Sequence, residues 1–349
     1  MSQAESPRRL EQLRLWAQAQ HPSIEGSSDL VLAAGDASFR RYYRLTLESG
    51  ETRMLMDAPP PQEDVGPFVA IARDWHAAGL PVPRVYAVDA DQGFVELEDL
   101  GDEPLHLALD GADGTDEATT HAHFDAAIAL LEELQRKAPS DSLPPYDAKT
   151  LARELDLFPD WCLGQWLGID AEAPGWRALR QALIEQALAQ PVVTVHRDFD
   201  AMNLMRHAAE LWLIDFQDAL AGPITYDLIS LLHGRYRRFD AATRAAWSEA
   251  FRQRAIADGR LSDSVDSDSF LRWVNAMAAQ RALKVLGIFC RLTLRDQRDG
   301  YLARLPHFLA HLQDSLEGLE GLAGHADFSA WVEDSLRPLI EARVAEVRP

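Results

Sequence analysis

The apolar pattern of this 349-residue chain changes character near residue 100, and this change limits the folds open to it. Before residue 100, short apolar stretches are separated by turns rich in Gly and Pro, a spacing typical of strands. Apolar residues at helical spacing add two helices, at residues 8–19 and 68–75. We predict strands over these residues: 31–32, 39–47, 54–56, 85–88 and 94–97. The first part of the chain is therefore expected to form a small β-rich domain over residues 1–100.

Helical spacing dominates after residue 101 and continues to the end of the chain. Only two short apolar strands, at residues 192–195 and 211–214, interrupt it. Residues 101–120 are rich in Gly, Asp and Thr and are expected to form a surface connection. The sequence thus predicts an α+β fold with two domains, a β-rich N-terminal lobe (1–100) and a larger, mainly helical C-terminal lobe (101–349).

The charge balance excludes several classes of partner. The chain carries 55 Asp and Glu against 34 Lys and Arg, a net charge of -21, which repels nucleic acids and anionic membrane surfaces. Cys162 and Cys290 are too few for a disulfide framework or a cysteine metal cluster. No apolar stretch approaches the roughly 18 residues of a membrane span. We expect a cytoplasmic protein that works on a small molecule, without a membrane, a nucleic acid or an obligate protein partner.

The most informative polar residues lie between the two strands of the second part. The segment HRDFDAMN, residues 196–203, fits the pattern H-R-D-x-x-x-x-N of a phosphotransferase catalytic loop, and Asp215-Phe216 follows the next strand. Asp198 is suited to orient an acceptor hydroxyl and to accept its proton. Asn203 and Asp215 offer the hard oxygen ligands that Mg²⁺ requires. His196 is assigned to a structural hydrogen bond, whereas Arg197 is either a surface residue or a brace of the loop.

Each of these residues also has an ordinary structural interpretation. A single His-Arg-Asp tripeptide is common on protein surfaces, Asn203 could close a turn, and Asp215 could cap a helix. The functional interpretation is favoured because three matching elements occur in the expected order relative to two strands.

These segments also resemble a known family. HRDFDAMNLM followed by LWLIDFQDALAGPITYDLISLL resembles the aminoglycoside phosphotransferase-like kinases, and most of all the sugar kinases that phosphorylate N-acetylmuramate and N-acetylglucosamine at C1. GDASFRRYYRL, LMDAPPP, LEDLGD and QRALKVLGIF resemble the same group, so the likeness covers about residues 30–310. The resemblance implies a bilobal protein-kinase-like fold, ATP with Mg²⁺, and a role in peptidoglycan recycling.

The resemblance also implies a nucleotide site in the first domain. The residues that it places over the nucleotide phosphates are Gly35, Asp36, Ala37, Ser38 and Phe39, and those at the hinge beside adenine are Leu97, Glu98 and Leu100. Considered alone, the segment around Gly35 has one glycine and reads as a hairpin turn.

One departure from kinase-like sequences concerns the third strand. The segment RMLMD, residues 53–57, lacks the usual phosphate-binding lysine, and the next helix lacks an evident glutamate partner. This departure favours a rival class, a catalytically silent nucleotide-binding module. If the chain is active, another cation must meet the triphosphate. Period-2 alternation puts Arg41 on the apolar face with Tyr43 and Leu45, so Arg41 is the predicted phosphate partner.

Three residues are candidates for binding the acceptor: Asp218, Gln280 and Arg281. Arg281 lies near an apolar stripe of its helix, where a guanidinium needs an acid or a ligand anion. Either it forms a salt bridge to an acid such as Asp218 or Asp227, or it recognises the sugar with Gln280, through the lactyl carboxylate of N-acetylmuramate. Asp218 could equally be a solvated acid, and Asp227 is predicted to cap a helix. Besides the sugar kinase, a kinase of an aminoglycoside, choline or another amino alcohol remains an alternative.

Overall fold

The computed structural model describes residues 5–22, 30–35, 39–109 and 116–347. These residues form two compact units. The first takes in the described residues up to Leu105 together with the later segment Met202–Asp218. The second comprises the rest of the chain, from His106–Ala201 and from Ala219 onward. The division predicted at residue 100 differs in that it leaves residues 202–218 with the C-terminal part.

A five-stranded antiparallel sheet forms the centre of the first unit, with strand order β1-β2-β3-β5-β4. The elements of this part are α1 (Glu5–Gln20), β1 (Val31–Gly35), β2 (Arg41–Thr46), β3 (Thr52–Asp57), α2 (Gly66–Ala77), β4 (Val85–Asp89) and β5 (Phe94–Glu98). Tight turns let short strands that follow each other in sequence pair as neighbours. The Ser49-Gly50 turn connects β2 to β3 in this way. Gly50 has a φ of 84°, which a glycine adopts at little cost.

Helix α1 covers one face of this sheet. Tyr43 and Leu45 of β2 are buried in a cluster with Leu55, Phe94, and Leu13 and Trp16 of α1. Arg41 lies on the same face, since it stands opposite Asp57, which binds Arg9 of α1. The expectation that this apolar face looks onto the nucleotide is wrong, because α1 already buries it.

The second unit is mainly helical and is organised around its longest helix. Its elements are α3 (Leu105–Leu109), α4 (Glu117–Lys137), α5 (Ala148–Leu157), a π-helical segment (Phe158–Leu167), α6 (Trp176–Leu188), β6 (Val192–Val195), β9 (Leu220–Pro223), α7 (Tyr226–Leu232), α8 (Ala241–Ala257), α9 (Ser267–Leu294), a 3-10 turn (Leu302–Arg304), α10 (Leu305–Glu317), α11 (His325–Trp331), a π-helical turn (Val332–Leu336) and α12 (Arg337–Val347). Helix α9 packs against α5, α6, α7, α8 and α10. Gly287 permits a close crossing, because a Cβ there would lie 2.3 Å from the Leu157 carbonyl.

Several local expectations need correction. The segment 101–120 is not only a connection, since it contains α3 and the start of α4. Two strands were not predicted: β7 (Leu204–His207), which pairs with β8 (Glu210–Leu213), and β9, which pairs with β6. Both are four residues long and too short for period-2 alternation to distinguish them from a loop. Within the described part of the chain, no helix is long and apolar enough to cross a membrane.

Candidate active site

Asn203 and Asp215 are brought together by the β7–β8 hairpin. Asn203 precedes β7 and Ile214 follows β8, so both stand at the open end of the hairpin. Leu204 pairs with Leu213, and the Ile214 N–H donates to the Asn203 carbonyl over 3.1 Å. The next residue, Asp215, has a φ of 63°, a left-handed conformation that non-glycine residues adopt at a cost. The hairpin therefore sets two predicted metal ligands side by side within the first unit.

The segment after Asp215 is anchored to α2. The Phe216 ring stacks on Phe68 with a centroid distance of 5.0 Å and contacts Trp75 at 5.2 Å. The Leu213 N–H donates to the Pro81 carbonyl over 2.8 Å. The Gln217 amide donates to an Asp215 carboxylate oxygen over 2.8 Å. These contacts hold both sides of Asp215 in the first unit.

The donor set of this pair fits a divalent cation of the Mg²⁺ type. One carboxylate and one amide oxygen are hard ligands, and Mg²⁺ usually keeps waters and substrate phosphates as its remaining ligands. No group of three or more His, Cys, Asp or Glu is placed to hold a metal in the residues that the structure describes. A site that a nucleotide must complete is consistent with this arrangement.

The loop with Asp198 belongs to the second unit and follows β6. Asp198 itself is exposed, whereas its neighbours His196 and Phe199 are fully buried and meet edge to face. Arg197 has a φ of 76°, so the loop turns through a strained residue. The Asp200 N–H donates to the Asp198 carbonyl over 2.9 Å, and the Asp200 carboxylate pairs with Arg235 at 3.3 Å.

The buried carboxylate of Asp227 holds the main chain of this loop. It accepts hydrogen bonds from the N–H groups of His196, at 2.6 Å, and Arg197, at 3.0 Å. Burial raises the pKa of Asp227 to about 7, and the two N–H donors oppose that rise. The prediction of a helix cap is wrong: Asp227 lies inside the first turn of α7, whose N-cap residue is Thr225.

A second buried carboxylate, Glu154 of α5, fixes the side chain of Arg197. Its oxygens lie 2.6 Å from the Arg197 guanidinium and 3.1 Å from the Lys284 ammonium. Tyr146 and Gln280 also donate to it, the latter at 3.2 Å. Arg197 is thus a brace of the loop, one of the two interpretations that the sequence left open.

Burial and opposite charge act against each other at Glu154. Burial disfavours its charged form, but Lys284 and Arg197 outweigh that effect and hold the pKa of Glu154 at about 2. Lys284 also donates to the Tyr226 hydroxyl over 2.8 Å. The network around Glu154 is therefore ionised at neutral pH.

Arg281 is 7% exposed, and its guanidinium donates to the His233 carbonyl over 3.4 Å. No carboxylate among the described residues lies within ion-pair distance of it, so the predicted salt bridge to Asp218 or Asp227 does not form. Its charge nevertheless lowers the pKa of Asp227, as the charge of Asp198 raises it. Arg281 and Asp198 therefore both lie within electrostatic reach of one buried carboxylate.

Two histidines, His233 and His311, lie within electrostatic reach of Arg281. His233 stacks on His311 with a centroid distance of 4.6 Å, and the His307 and His311 Nε2 atoms are 3.1 Å apart. Burial lowers the pKa of His311 to about 3 and that of His233 well below its ordinary value. Both rings are neutral at pH 7, so Arg281 supplies a fixed positive charge there.

The other predicted acceptor residues are placed differently. Gln280 is fully buried in the network of Glu154. Asp218 is exposed in a turn of the first unit, whereas Gln280 and Arg281 belong to the second.

Part of the predicted nucleotide site can be described. Asp36, Ala37 and Ser38 lie outside the described residues. Gly35 ends β1 opposite Arg41, and Phe39 is exposed, with its N–H donating to Glu63 over 3.2 Å. At the predicted hinge, Leu97 and Leu100 are buried, and the Glu98 carboxylate accepts from the Arg84 N–H over 3.2 Å.

The sequence reasoning missed Glu154, Lys284, Asp200 and Glu63. A buried acid and its distant cation leave no local pattern, since Glu154 and Lys284 are separated by 130 positions. In the sequence, Lys284 lies at the edge of the apolar stripe of α9, and this position is the one local feature that indicates a partly buried lysine.

Comparison with known proteins identifies the family of this chain. The model of the phosphotransferase enzyme family matches residues 29–263. A Pseudomonas putida protein named N-acetylmuramate/N-acetylglucosamine kinase is 38% identical over 317 residues, 88% of this chain and 91% of that protein. A Neisseria meningitidis protein of the same name is 38% identical over 304 residues, 86% and 89% of the two chains.

A solved structure supports the fold. Ethanolamine kinase from Plasmodium vivax matches with a TM-score of 0.59 at 9% identity, over 86% of this chain and 85% of that one. The predicted α+β, protein-kinase-like fold is confirmed, and so is the resemblance to aminoglycoside phosphotransferase-like kinases. The chain belongs to the phosphotransferase enzyme family.

Proposed function

We propose that this chain transfers the γ-phosphoryl group of ATP to the anomeric hydroxyl of N-acetylmuramate and N-acetylglucosamine, as a step of peptidoglycan recycling in the cytoplasm. The observation that carries the proposal is the similarity to two kinases of that name, 38% identical over most of both chains. Asp198, Asn203 and Asp215, the residues that such chemistry requires, are all present in this chain.

Asp198 is the proposed general base. Its exposed carboxylate orients the acceptor hydroxyl and takes up its proton as the oxygen attacks phosphorus. The loop that carries it is held from behind by Asp227 and, through Arg197, by Glu154. This support restrains the loop around Asp198, as a base that must meet a hydroxyl within hydrogen-bond distance requires.

Asn203 and Asp215 are the proposed ligands of Mg²⁺. When bound, the ion supplies positive charge to the phosphate oxygens that develop negative charge. The proposal is supported by the hairpin bond from the Ile214 N–H to the Asn203 carbonyl, which keeps the main chain of the two residues close. Residues 35–39 and the hinge residues Leu97, Glu98 and Leu100 are proposed to bind the phosphates and the adenine of ATP.

Arg281 is proposed to recognise the lactyl carboxylate of N-acetylmuramate, and Gln280 contributes indirectly through Glu154. Arg281 is buried, has no carboxylate partner among the described residues, and stands beside neutral imidazoles. A guanidinium in such surroundings favours an anion of the ligand. Asp218 remains a candidate for a hydroxyl of the sugar.

Arg281→Ala is expected to raise KM for N-acetylmuramate about tenfold or more, with a smaller change for N-acetylglucosamine, which lacks the carboxylate. The matched control is Arg272→Ala, an exposed arginine of the same helix. Equal damage to both sugars, accompanied by a lower melting temperature, would assign Arg281 a structural role instead.

The proposed function is tested by nucleotide consumption with N-acetylmuramate, N-acetylglucosamine, choline and an aminoglycoside as acceptors. Phosphorus NMR of the product then shows whether the phosphate is on the anomeric oxygen. Turnover of both sugars is expected. Turnover of choline or the aminoglycoside alone would show that the acceptor is an amino alcohol or an aminoglycoside and not a sugar. ATP binding without turnover of any of the four compounds would favour a silent nucleotide-binding module.

A further inference from the structure

Arg40, the residue before Arg41, is a buried cation that Glu63 holds in an ion pair, within electrostatic reach of the predicted metal ligand Asp215. Arg40 is 7% exposed although it immediately precedes β2 and is not part of the strand. Glu63 binds its guanidinium at 3.1 Å. Burial alone lowers the pKa of Arg40, but Tyr42, Glu63 and Asp215 together raise it. The charge of Asp215 therefore acts on Arg40 within the same compact unit.

The other arginines of the sheet are engaged elsewhere. Arg44 is bound by Asp99 at 2.5 Å and by Asp102 at 2.7 Å. Arg53 pairs with Glu51 and with Glu96 and lies over the Tyr86 ring. These partners engage both guanidinium groups in ion pairs.

Arg41 is separated from Arg40 by the alternation of the strand. It stands opposite Asp57, which binds Arg9 of α1, so it lies on the face that α1 covers. Adjacent residues of an extended chain point to opposite faces, so Arg40 is directed away from α1. Arg40 is thus on the face of the sheet that α1 leaves uncovered.

Glu63 ties Arg40 to the phosphate loop. One of its oxygens binds the Arg40 guanidinium, and the other accepts the main-chain N–H of Phe39, where the predicted loop ends. Glu63 is itself nearly buried, with 13% of its side chain exposed. An arginine held by a fixed carboxylate keeps several N–H donors in a planar fork that suits phosphate oxygens.

We infer that Arg40 binds the terminal phosphates of the nucleotide, in place of the lysine that β3 lacks, and that Glu63 positions it. The inference rests on the proposed use of ATP, because Arg40 and an Mg²⁺ ion held by Asp215 and Asn203 would both supply positive charge to its phosphates. Glu63 lies before α2 rather than within it, so the ion pair is built from two loop residues instead of a strand and a helix.

Calorimetric titration of the full chain with Mg·ATP and with AMP tests this inference. Arg40→Ala is expected to weaken Mg·ATP about 10- to 100-fold and to leave AMP within about threefold, the range for losing a hydrogen bond to a charged group. Arg41→Ala is the matched control and should leave both affinities within about threefold. Arg40→Lys keeps the charge without the fork and should fall between Arg40→Ala and the unaltered protein.

Glu63→Gln is expected to weaken Mg·ATP less than Arg40→Ala and to have no further effect in the Arg40→Ala background. A larger loss of Mg·ATP affinity for Arg41→Ala than for Arg40→Ala would overturn the inference. So would an equal loss of AMP and Mg·ATP affinity in both Arg40→Ala and Arg40→Lys. If the phosphate-specific loss occurs while no sugar is phosphorylated, the inference stands and the proposed acceptor fails.

Discussion

Replacement of Glu154 by glutamine tests how the loop around Asp198 is held. The substitution keeps the size of the side chain and removes the charge that faces Arg197 at 2.6 Å and Lys284 at 3.1 Å. Both cations would then share a buried site with no carboxylate between them. Arg197 is 22% exposed and Lys284 11%, so water can relieve only part of the cost.

The size of the effect follows from the pKa of Glu154. A shift from its ordinary value of 4.5 to about 2 corresponds to about 3 kcal/mol of net stabilisation of the ionised carboxylate in the folded state, after the cost of its burial. Because the folded pKa is depressed, this stabilisation is complete above about pH 4.5 and is lost as the pH falls toward 2. Removal of one partner from a buried ion pair generally costs about 3–5 kcal/mol of stability, in agreement with the value obtained from the pKa shift. We expect Glu154→Gln to lower the free energy of unfolding by about 3 kcal/mol at pH 7.

Urea unfolding at pH 7 measures this loss. The control is Glu172→Gln, which removes an exposed ion pair with Arg177 at 2.8 Å and should cost less than about 1 kcal/mol. Lys284→Met should cost less in the Glu154→Gln background than alone, because the lysine there no longer has its carboxylate. If Glu154→Gln costs no more than Glu172→Gln, or if the two buried substitutions are additive, the reasoning about this network is wrong.

Three further predictions concern the carboxylates of the site. Asp198→Asn should leave ATP binding nearly intact and lower turnover by about 10² or more; turnover within a few-fold of the unaltered enzyme would reject Asp198 as the base. Asp215→Ala should weaken Mg·ATP far more than metal-free ATP in a binding titration, and equal losses would contradict a metal ligand. The folded pKa of Asp227 lies at about 7, above its ordinary value, so the unfolded chain ionises first and the unaltered protein loses stability as the pH rises from about 5 to 7. Asp227→Asn has no such group, and its free energy of unfolding should therefore rise relative to that of the unaltered protein over this range, by at most about 1.4 kcal/mol per pH unit. Urea unfolding over that range measures it, and a stability difference that stays level from pH 5 to 8 would refute it.

The sequence predicted the residues that have a local pattern. Asp198, Asn203 and Asp215 could be proposed as site residues because each stands at a fixed place relative to a strand, and strands are recognisable as apolar stretches of the sequence. The strands β2, β3, β4 and β5 and the long helix α9 were found for the same reason. The family resemblance rested on these same segments, and the comparisons confirm it.

The parts that could not be predicted depend on pairing between distant positions. Arg41 was preferred over Arg40 because the apolar side of β2 was expected to face the nucleotide, but α1 buries that side. Which helix covers which face of a sheet is decided by tertiary packing and is not encoded in the alternation itself. The prediction that Asp227 caps a helix is wrong because its partners are distant in sequence. His196 and Arg197 lie some thirty positions earlier and come close to Asp227 only in the fold.

The two strained residues of the site show why such distant partners are needed. Arg197 and Asp215 both adopt left-handed conformations, each of which costs about 1–3 kcal/mol in a non-glycine residue. At Arg197, the N–H is held by Asp227 and the guanidinium by Glu154, and contacts of this strength can offset the strain. At Asp215, the β7–β8 hairpin and the stacking of the Phe216 ring on Phe68 can offset the strain. Residues that do no chemistry thus set the conformation of those proposed to do it. It follows that substitutions of Glu154 or Asp227 should affect stability and turnover together, whereas Asp198→Asn should affect turnover alone.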